Sequence, residues 1–187
     1  MTWYTICGGK GGPDIMWHHR LHYHRFQLPW FVYVWFFLIL GLFAAVDHLP
    51  WRVTAFLVPP FGATLSLIVS LPQQHVSQPF PIIAGGTVGA GIGSLIALWG
   101  HGPFLAALAA LVAFVILPPL GMYFPPAVAF AIFPVLIKTS PWFPFLSVFP
   151  FTVVATGSSA LLSRYWKGWP SYPYGSHAEP LSTEKSL

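Results

Sequence analysis

The feature that most restricts what this chain can fold into is a long stretch without formal charge. Between Arg52 and Lys138 the sequence contains no Asp, Glu, Lys or Arg over 85 consecutive residues. A soluble domain carries charges at about 25% of its residues, whereas a Lys or Arg at the centre of a membrane-spanning helix costs about 2.5–3.5 kcal/mol. The stretch therefore predicts an integral membrane protein, in which lipid is the solvent for most of the fold.

The composition and the placement of charge favour the same class of protein. Hydrophobic residues make up 56% of the chain, aromatic residues 18% and charged residues only 6%. The formal net charge of +4 comes mostly from residues near the two ends, namely Lys10, Arg20, Arg25, Arg164, Lys167 and Lys185. Basic groups in these positions are typical of segments beside lipid headgroups. The predicted partner is therefore the lipid bilayer, and no nucleic acid is predicted to bind.

Apolar segments separated by polar or proline-rich turns predict six helices. They cover residues 30–46, 62–71, 81–99, 104–117, 127–137 and 144–163. The second and the fifth each follow a pair of prolines, Pro59-Pro60 and Pro125-Pro126. Such a pair interrupts a helix because proline lacks the N–H and its ring clashes with the preceding turn. The predicted fold class is an all-α polytopic membrane protein with four full spans and two proline-broken or re-entrant helices, or up to six spans if the broken helices also cross.

The two diproline segments lie 66 residues apart and occupy matching positions between apolar helices. The chain thus divides into a cytoplasmic or interfacial N-terminal segment (1–29), a transmembrane domain (30–163, with repeats of about 30–99 and 103–163) and a polar C-terminal tail (164–187). Three crossings per repeat would invert the second copy, and two would leave the copies parallel. The total number of crossings, six or four, is even in both cases, so both basic ends lie on one side of the membrane. The positive-inside rule makes that side cytoplasmic. The predicted localisation is the cell (inner) membrane, with several passes.

Four short motifs along the domain point to a known family. They are Pro60-Phe61-Gly62-Ala63-Thr64, Gln78-Pro79, Gly85-Gly86 at the start of a glycine-rich helix, and Phe124-Pro125-Pro126-Ala127. In order and spacing they resemble the HPP family of small integral membrane proteins, which is named for a His-Pro-Pro motif followed by small residues. The resemblance covers most of residues 30–163. It implies four transmembrane helices and, as a candidate role, nitrite transport.

The chain departs from the family pattern within the motif itself. Phe124 stands at the position of the motif histidine, and Val128 stands where the pattern has glycine. An anion site that depends on the imidazole cannot work in the same way in this chain. The departure therefore bears on transport rather than on the fold.

The sequence also suggests how an anion could bind without a charged side chain. A helix that begins after Pro60 or Pro126 would direct free backbone N–H groups and the positive end of its dipole towards the break. The candidate substrate-binding residues are Pro60, Gly62, Ala63, Thr64, Gln78, Phe124, Pro125 and Pro126. The alternative is that these residues only shape and pack short helices in lipid. A separate stripe, Gly85, Gly89 and Gly93, recurs at the spacing that lets two helix backbones approach closely and predicts helix packing.

Residues outside the uncharged stretch give little support for metal or acid–base chemistry. His18 and His22 would share a helical face and could ligate a transition metal or a chlorin-type pigment, but aromatic and basic residues around them are typical of an interfacial anchor. The acidic residues, Asp14, Asp47, Glu179 and Glu184, all lie outside the stretch. Paired carboxylates are therefore missing from the predicted membrane region, and the sequence predicts neither an enzyme nor a cofactor.

Two functions of different classes remain open. The first is a transporter or channel for a small anion, working as a homo-oligomer because so small a bundle hardly encloses a pore alone. The second is a non-transporting accessory subunit of a larger membrane protein complex, which could contain pigment or another cofactor. The nine tryptophans and seventeen phenylalanines would give such a subunit wide apolar contact surfaces.

Overall fold

The computed structural model describes residues 28–47 and 59–173, and all regular secondary structure within these ranges is helical. The helices are α1 (Trp30–Asp47), α2 (Pro59–Ser70), α3 (Gly86–Ala97), α4 (Pro103–Ile116), α5 (Pro125–Ile137) and α6 (Phe149–Tyr165). A 3₁₀ turn, His75–Ser77, lies between α2 and α3. Two π-helical turns, Pro81–Gly85 and Pro144–Val148, lead directly into α3 and α6. The all-α fold class is confirmed for the described residues.

Helices α2 and α5 begin earlier than predicted, because each diproline lies inside the first turn rather than before it. They start at Pro59 and Pro125. Proline is favoured there since its fixed φ matches the helix and its missing N–H would have had no intrahelical partner. Phe124, just before Pro125, is extended with φ −143° and ψ 112°, as expected for a residue whose α conformation clashes with a following proline ring.

One helix in the described ranges has both the length and the apolar composition of a complete membrane crossing. It is the continuous segment Pro144–Tyr165 of 22 residues, which joins a π turn to α6. The other apolar helical segments are shorter, namely Trp30–Val46, Pro59–Ser70, Pro81–Ala97, Pro103–Ile116 and Pro125–Ile137. The predicted number of spans therefore remains a prediction.

Helices α3 and α5 pack together backbone to backbone. The glycine stripe faces backbone oxygens of the partner segment, with Gly85 against Met122, Gly89 against Ala127 and Gly93 against Ala131. A Cβ atom built on Gly89 would lie only 2.5 Å from the Ala127 carbonyl oxygen. The residue numbers rise together along both segments, so the two helices run parallel. Only a residue without a side chain allows this approach.

Helices α1 and α6 run antiparallel and touch through large side chains. Phe31 lies 5.4 Å from Trp166, ring centroid to ring centroid, and Phe43 lies 5.1 Å from Phe151. The indole N–H of Trp35 also donates to Ser158 Oγ at 3.0 Å. The start of α1 and the residues after α6 thus lie at the same end of the bundle.

The segment predicted as a polar tail begins differently in the structure. Helix α6 continues to Tyr165, and residues 166–172, called the strap here, fold back beside it. Trp169 is 8% exposed and Tyr172 2% exposed. This part of the predicted tail is packed because its aromatic side chains bury apolar area that polar neighbours in the sequence do not reveal.

Candidate functional site

The centre of the bundle, where the broken helices meet the long ones, is filled by four phenylalanines from four helices. This aromatic cluster consists of Phe43 of α1, Phe61 of α2, Phe130 of α5 and Phe151 of α6, all buried. Phe61 and Phe151 stack almost parallel, with centroids 3.7 Å apart and planes 8° apart. Phe61 also lies 5.5 Å from Phe130. The interior next to the α2 diproline is therefore closed by stacked rings.

A row of hydroxyl groups runs along α6 from the aromatic cluster towards the end where the strap lies. This hydroxyl track consists of Thr152, Thr156, Ser159 and Ser163. Their spacing of four, three and four residues places them on one face of the helix. The first three are at most 3% exposed. The track is therefore a buried row of hydroxyls inside an apolar bundle.

The threonines of the track satisfy their hydroxyl groups within their own helix. Thr152 Oγ1 donates to the carbonyl oxygen of Val148 at 2.9 Å, and Thr156 Oγ1 donates to that of Thr152 at 2.7 Å. On α2, Thr64 Oγ1 donates in the same way to the Pro60 carbonyl at 2.8 Å. These bonds remove the cost of burying a polar group in the absence of water. Rotation about χ1 would make the same donors available to a bound solute.

The predicted site residues on α2 lie in different environments. Pro60 and Thr64 are buried, Gly62 is half-buried and Ala63 is exposed. The open side of Gly62 faces the ring of Phe36, with 3.9 Å between a Cβ built on the glycine and Cζ of that ring. Of this set, only Pro60 and Thr64 are brought together, by the hydrogen bond within the helix.

Gln78 stabilises the loop between α2 and α3. Its side-chain Nε2 donates to the carbonyl oxygens of Pro72 at 3.0 Å and Gln74 at 3.1 Å, and the residue is half-buried. The amide therefore holds the preceding loop in shape. Its contacts with these two carbonyls give it a local role in the structure.

The start of α5 holds the remaining predicted residues. Phe124 and Pro126 are buried, while Pro125 is exposed. Phe124 lies against the glycine stripe, with its Cβ 3.5 Å from a Cβ built on Gly85. The backbone N–H of Ala127 donates to the Phe124 carbonyl at 2.8 Å. Because the two prolines have no N–H, none of the first three residues of α5 has an N–H free for an anion.

Several residues at this centre were not predicted as part of the site. They are Phe43, Phe130, Phe151, Thr152 and Thr156. A signal for the threonines does exist, since Ser and Thr recur at helical spacing from position 152 to position 163 in an otherwise apolar segment. The phenylalanines carry no such signal, because seventeen of them are spread along the chain. The predicted metal candidates, His18 and His22, lie outside the described residues.

Comparison with known proteins gives one match. A family described as HPP, transmembrane region, matches residues 22–173 of the chain. This range contains every described residue and more than half of the chain, so the resemblance inferred from the motifs is confirmed. No curated protein and no solved structure matches the chain.

Proposed function

The chain belongs to the HPP family of membrane proteins, and on this premise we propose that it moves a small anion such as nitrite across the bilayer. The proposal is of a non-enzymatic protein that works as a homo-oligomer. Its cargo would pass between the two broken helices and along the hydroxyl track.

The observation that carries this proposal is the contact between the paired short helices. Helices α2 and α5 both begin with a diproline and meet in the interior through Phe61 and Phe130, whose centroids are 5.5 Å apart. Paired interrupted helices in matching positions of two halves are the best sequence indication of a transporter binding site near the middle of the bilayer. The contact supports a site at this place.

The helix lengths support a complete span at Pro144–Tyr165 and broken helices at α2 and α5. Helices α2 and α5 contain 12 and 13 residues, which is about 18–20 Å at 1.5 Å per residue. The segment Pro144–Tyr165 contains 22 residues, or about 33 Å, and a bilayer core is about 30 Å thick. On these lengths α2 and α5 end inside the membrane.

The order of the helices supports a twofold repeat. Each half has the same order, which is an apolar helix, a short helix that starts at a diproline, and a helix that starts with a π turn at Pro81 or Pro144. Helix α1 is antiparallel to α6, and α3 is parallel to α5. These directions fit both the inverted repeat of six crossings and the parallel repeat of four crossings. Both arrangements keep the two broken helices in matching positions, which is the pattern of a central binding site in transporters.

The distribution of charge supports an orientation in the cell membrane. Six of the eight basic residues lie before α1 or from the last turn of α6 onward, namely Lys10, Arg20, Arg25, Arg164, Lys167 and Lys185. The start of α1 and the end of α6 lie at one end of the bundle, and under the positive-inside rule this supports a cytoplasmic location for that end and for both termini.

Uptake of nitrite into proteoliposomes tests the proposal. We expect saturable uptake with the wild-type protein and a loss of about tenfold in Thr152→Val or Thr156→Val, since a missing hydrogen bond to a desolvated ion costs about that factor. Thr87→Val is the matched control, because Thr87 makes the same bond within its helix, to Ile83 at 2.7 Å, but lies on α3. Uptake no greater than in protein-free liposomes would refute the proposal.

A second function, that of a non-transporting subunit of a larger membrane complex, has its own supporting observation. Phe124, at the position of the motif histidine, is completely buried, and the N–H of Ala127 is already bonded. The start of α5 thus lacks both the imidazole and a spare donor. Large aromatic side chains such as Phe104 and Trp99, 84% and 83% exposed, offer contact area for neighbours. Recovery from native membranes only in a fixed ratio with other proteins, without nitrite uptake, would favour this function.

A further inference from the structure

The strap returns to the hydroxyl track immediately after leaving it. The chain turns at Gly168, whose φ of +109° is in the region that glycine tolerates best. Four residues later the backbone N–H of Tyr172 donates to Ser163 Oγ at 2.9 Å. The strap is therefore anchored to the outermost hydroxyl of the track.

Trp169 provides the second anchor. Its indole N–H donates to Ser159 Oγ at 3.2 Å. Its ring lies 5.4 Å from Trp35 in an edge-to-face arrangement and 5.8 Å from Phe31 in a stacked one. The ring thus fills the space between α1 and α6 directly over the track. With both anchors in place, the two outer members of the track are engaged by the strap.

A third observation is that one polar group of the packed strap lacks a hydrogen bond within the described ranges. The hydroxyl group of Tyr172 is buried and has no hydrogen-bond partner among residues 28–47 and 59–173. Burial also raises the pKa of this phenol. An unpartnered buried donor costs free energy that release into water or into the headgroup region would recover. The strap therefore combines two specific anchors with one group that favours its release.

We propose that the strap is a lid that closes the cytoplasmic end of the hydroxyl track, with Trp169 as its latch. The inference rests on the proposed function, since a lid matters only if the track is a route. In the closed state the indole excludes solvent from Ser159 and Thr156. In the open state Trp169 leaves the space between α1 and α6, and the four hydroxyls become accessible from that end.

The rate at which a buried thiol is modified tests the lid without relying on transport. In a Cys7→Ser background, which removes the only native cysteine, Thr156→Cys in lipid nanodiscs is exposed to a trimethylammonium methanethiosulfonate reagent. We expect Trp169→Ala to speed this reaction about tenfold or more, because it removes a buried hydrogen bond and the ring contacts. Trp99→Ala, which truncates an 83% exposed indole, is the control and should leave the rate unchanged.

Nitrite uptake by Trp169→Ala and Trp99→Ala, each with Thr156 intact, then separates the lid from the proposed function. Faster thiol reaction together with faster uptake supports both. Faster thiol reaction with no uptake by any variant supports the lid and overturns the anion route. An unchanged thiol reaction rate, or faster reaction with wild-type uptake, overturns the lid. If Trp169→Ala does not elute as a single species in detergent, Trp169→Phe replaces it, because that variant keeps a ring and loses only the N–H.

Discussion

A methyl group added at Gly89 should separate α3 from α5. The new Cβ would lie 2.5 Å from the Ala127 carbonyl oxygen, and an ordinary contact begins at 3.4 Å. The two backbones must therefore move apart by roughly 1 Å, and a gap of 0.5–1 Å forfeits about a quarter to a half of the dispersion attraction across it. Overpacking of this kind typically costs about 1–3 kcal/mol.

Gly91, two residues further along the same helix, provides a matched control. A Cβ built on Gly91 has no atom of the described residues within 4 Å, so Gly91→Ala should gain about 0.5–1 kcal/mol from the better helix propensity of alanine. The two variants should thus differ by roughly 1.5–4 kcal/mol in the free energy of unfolding. Unfolding by SDS in mixed micelles, followed by circular dichroism, measures the difference. Equal stability of Gly89→Ala and Gly91→Ala would refute the close packing of α3 on α5.

Three further predictions concern other contacts. Phe124→His, which restores the family's histidine, should lower stability by about 1–3 kcal/mol because the ring is buried against an apolar surface; an unchanged SDS midpoint would contradict the buried position. Trp35→Phe should cost about 1 kcal/mol by removing the bond to Ser158, and adding Ser158→Ala should cost little more, whereas fully additive losses would argue against the bond. Tyr172→Phe should be neutral or stabilising, because the hydroxyl has no partner in the described part of the chain. Burial raises the pKa of this phenol above its ordinary value of 10.0. Above pH 10 Tyr172 therefore ionises in the unfolded chain but stays protonated in the folded one, and the wild type should lose stability as the pH rises. Thermal midpoints of Tyr172→Phe should lack this alkaline loss, and an identical pH profile in both proteins would contradict it.

The ends of the helices were largely predictable, because the responsible forces act between close neighbours in the chain. Proline disfavours the α conformation in the residue before it, so the breaks just before 59 and 125 follow from the sequence. The error of a few residues at these starts arose because proline also fits the first turn of the next helix. The π turns at Pro81 and Pro144 were not predicted, since their hydrogen-bond register depends on packing against other helices.

The candidate site was predictable only in part. The sequence drew attention to the two diprolines and to the glycine stripe, and the structure places the stripe against Met122, Ala127 and Ala131. It did not indicate that Phe61 would stack on Phe151, 90 positions away in the chain. Nor did it indicate that the aromatic part of the polar tail would return to Ser159 and Ser163.

The sequence by itself determined that the fold lies in lipid, where the helices break and to which family the chain belongs. A stretch of 85 uncharged residues and paired prolines have consequences that hold in almost any packing. Only the tertiary structure decided which helix faces meet. In a soluble protein the apolar face of a helix identifies the core, but in lipid almost every face is apolar. The choice of partners then depends on close fit, such as glycine against a backbone oxygen or ring against ring, and that fit exists only once the helices are assembled.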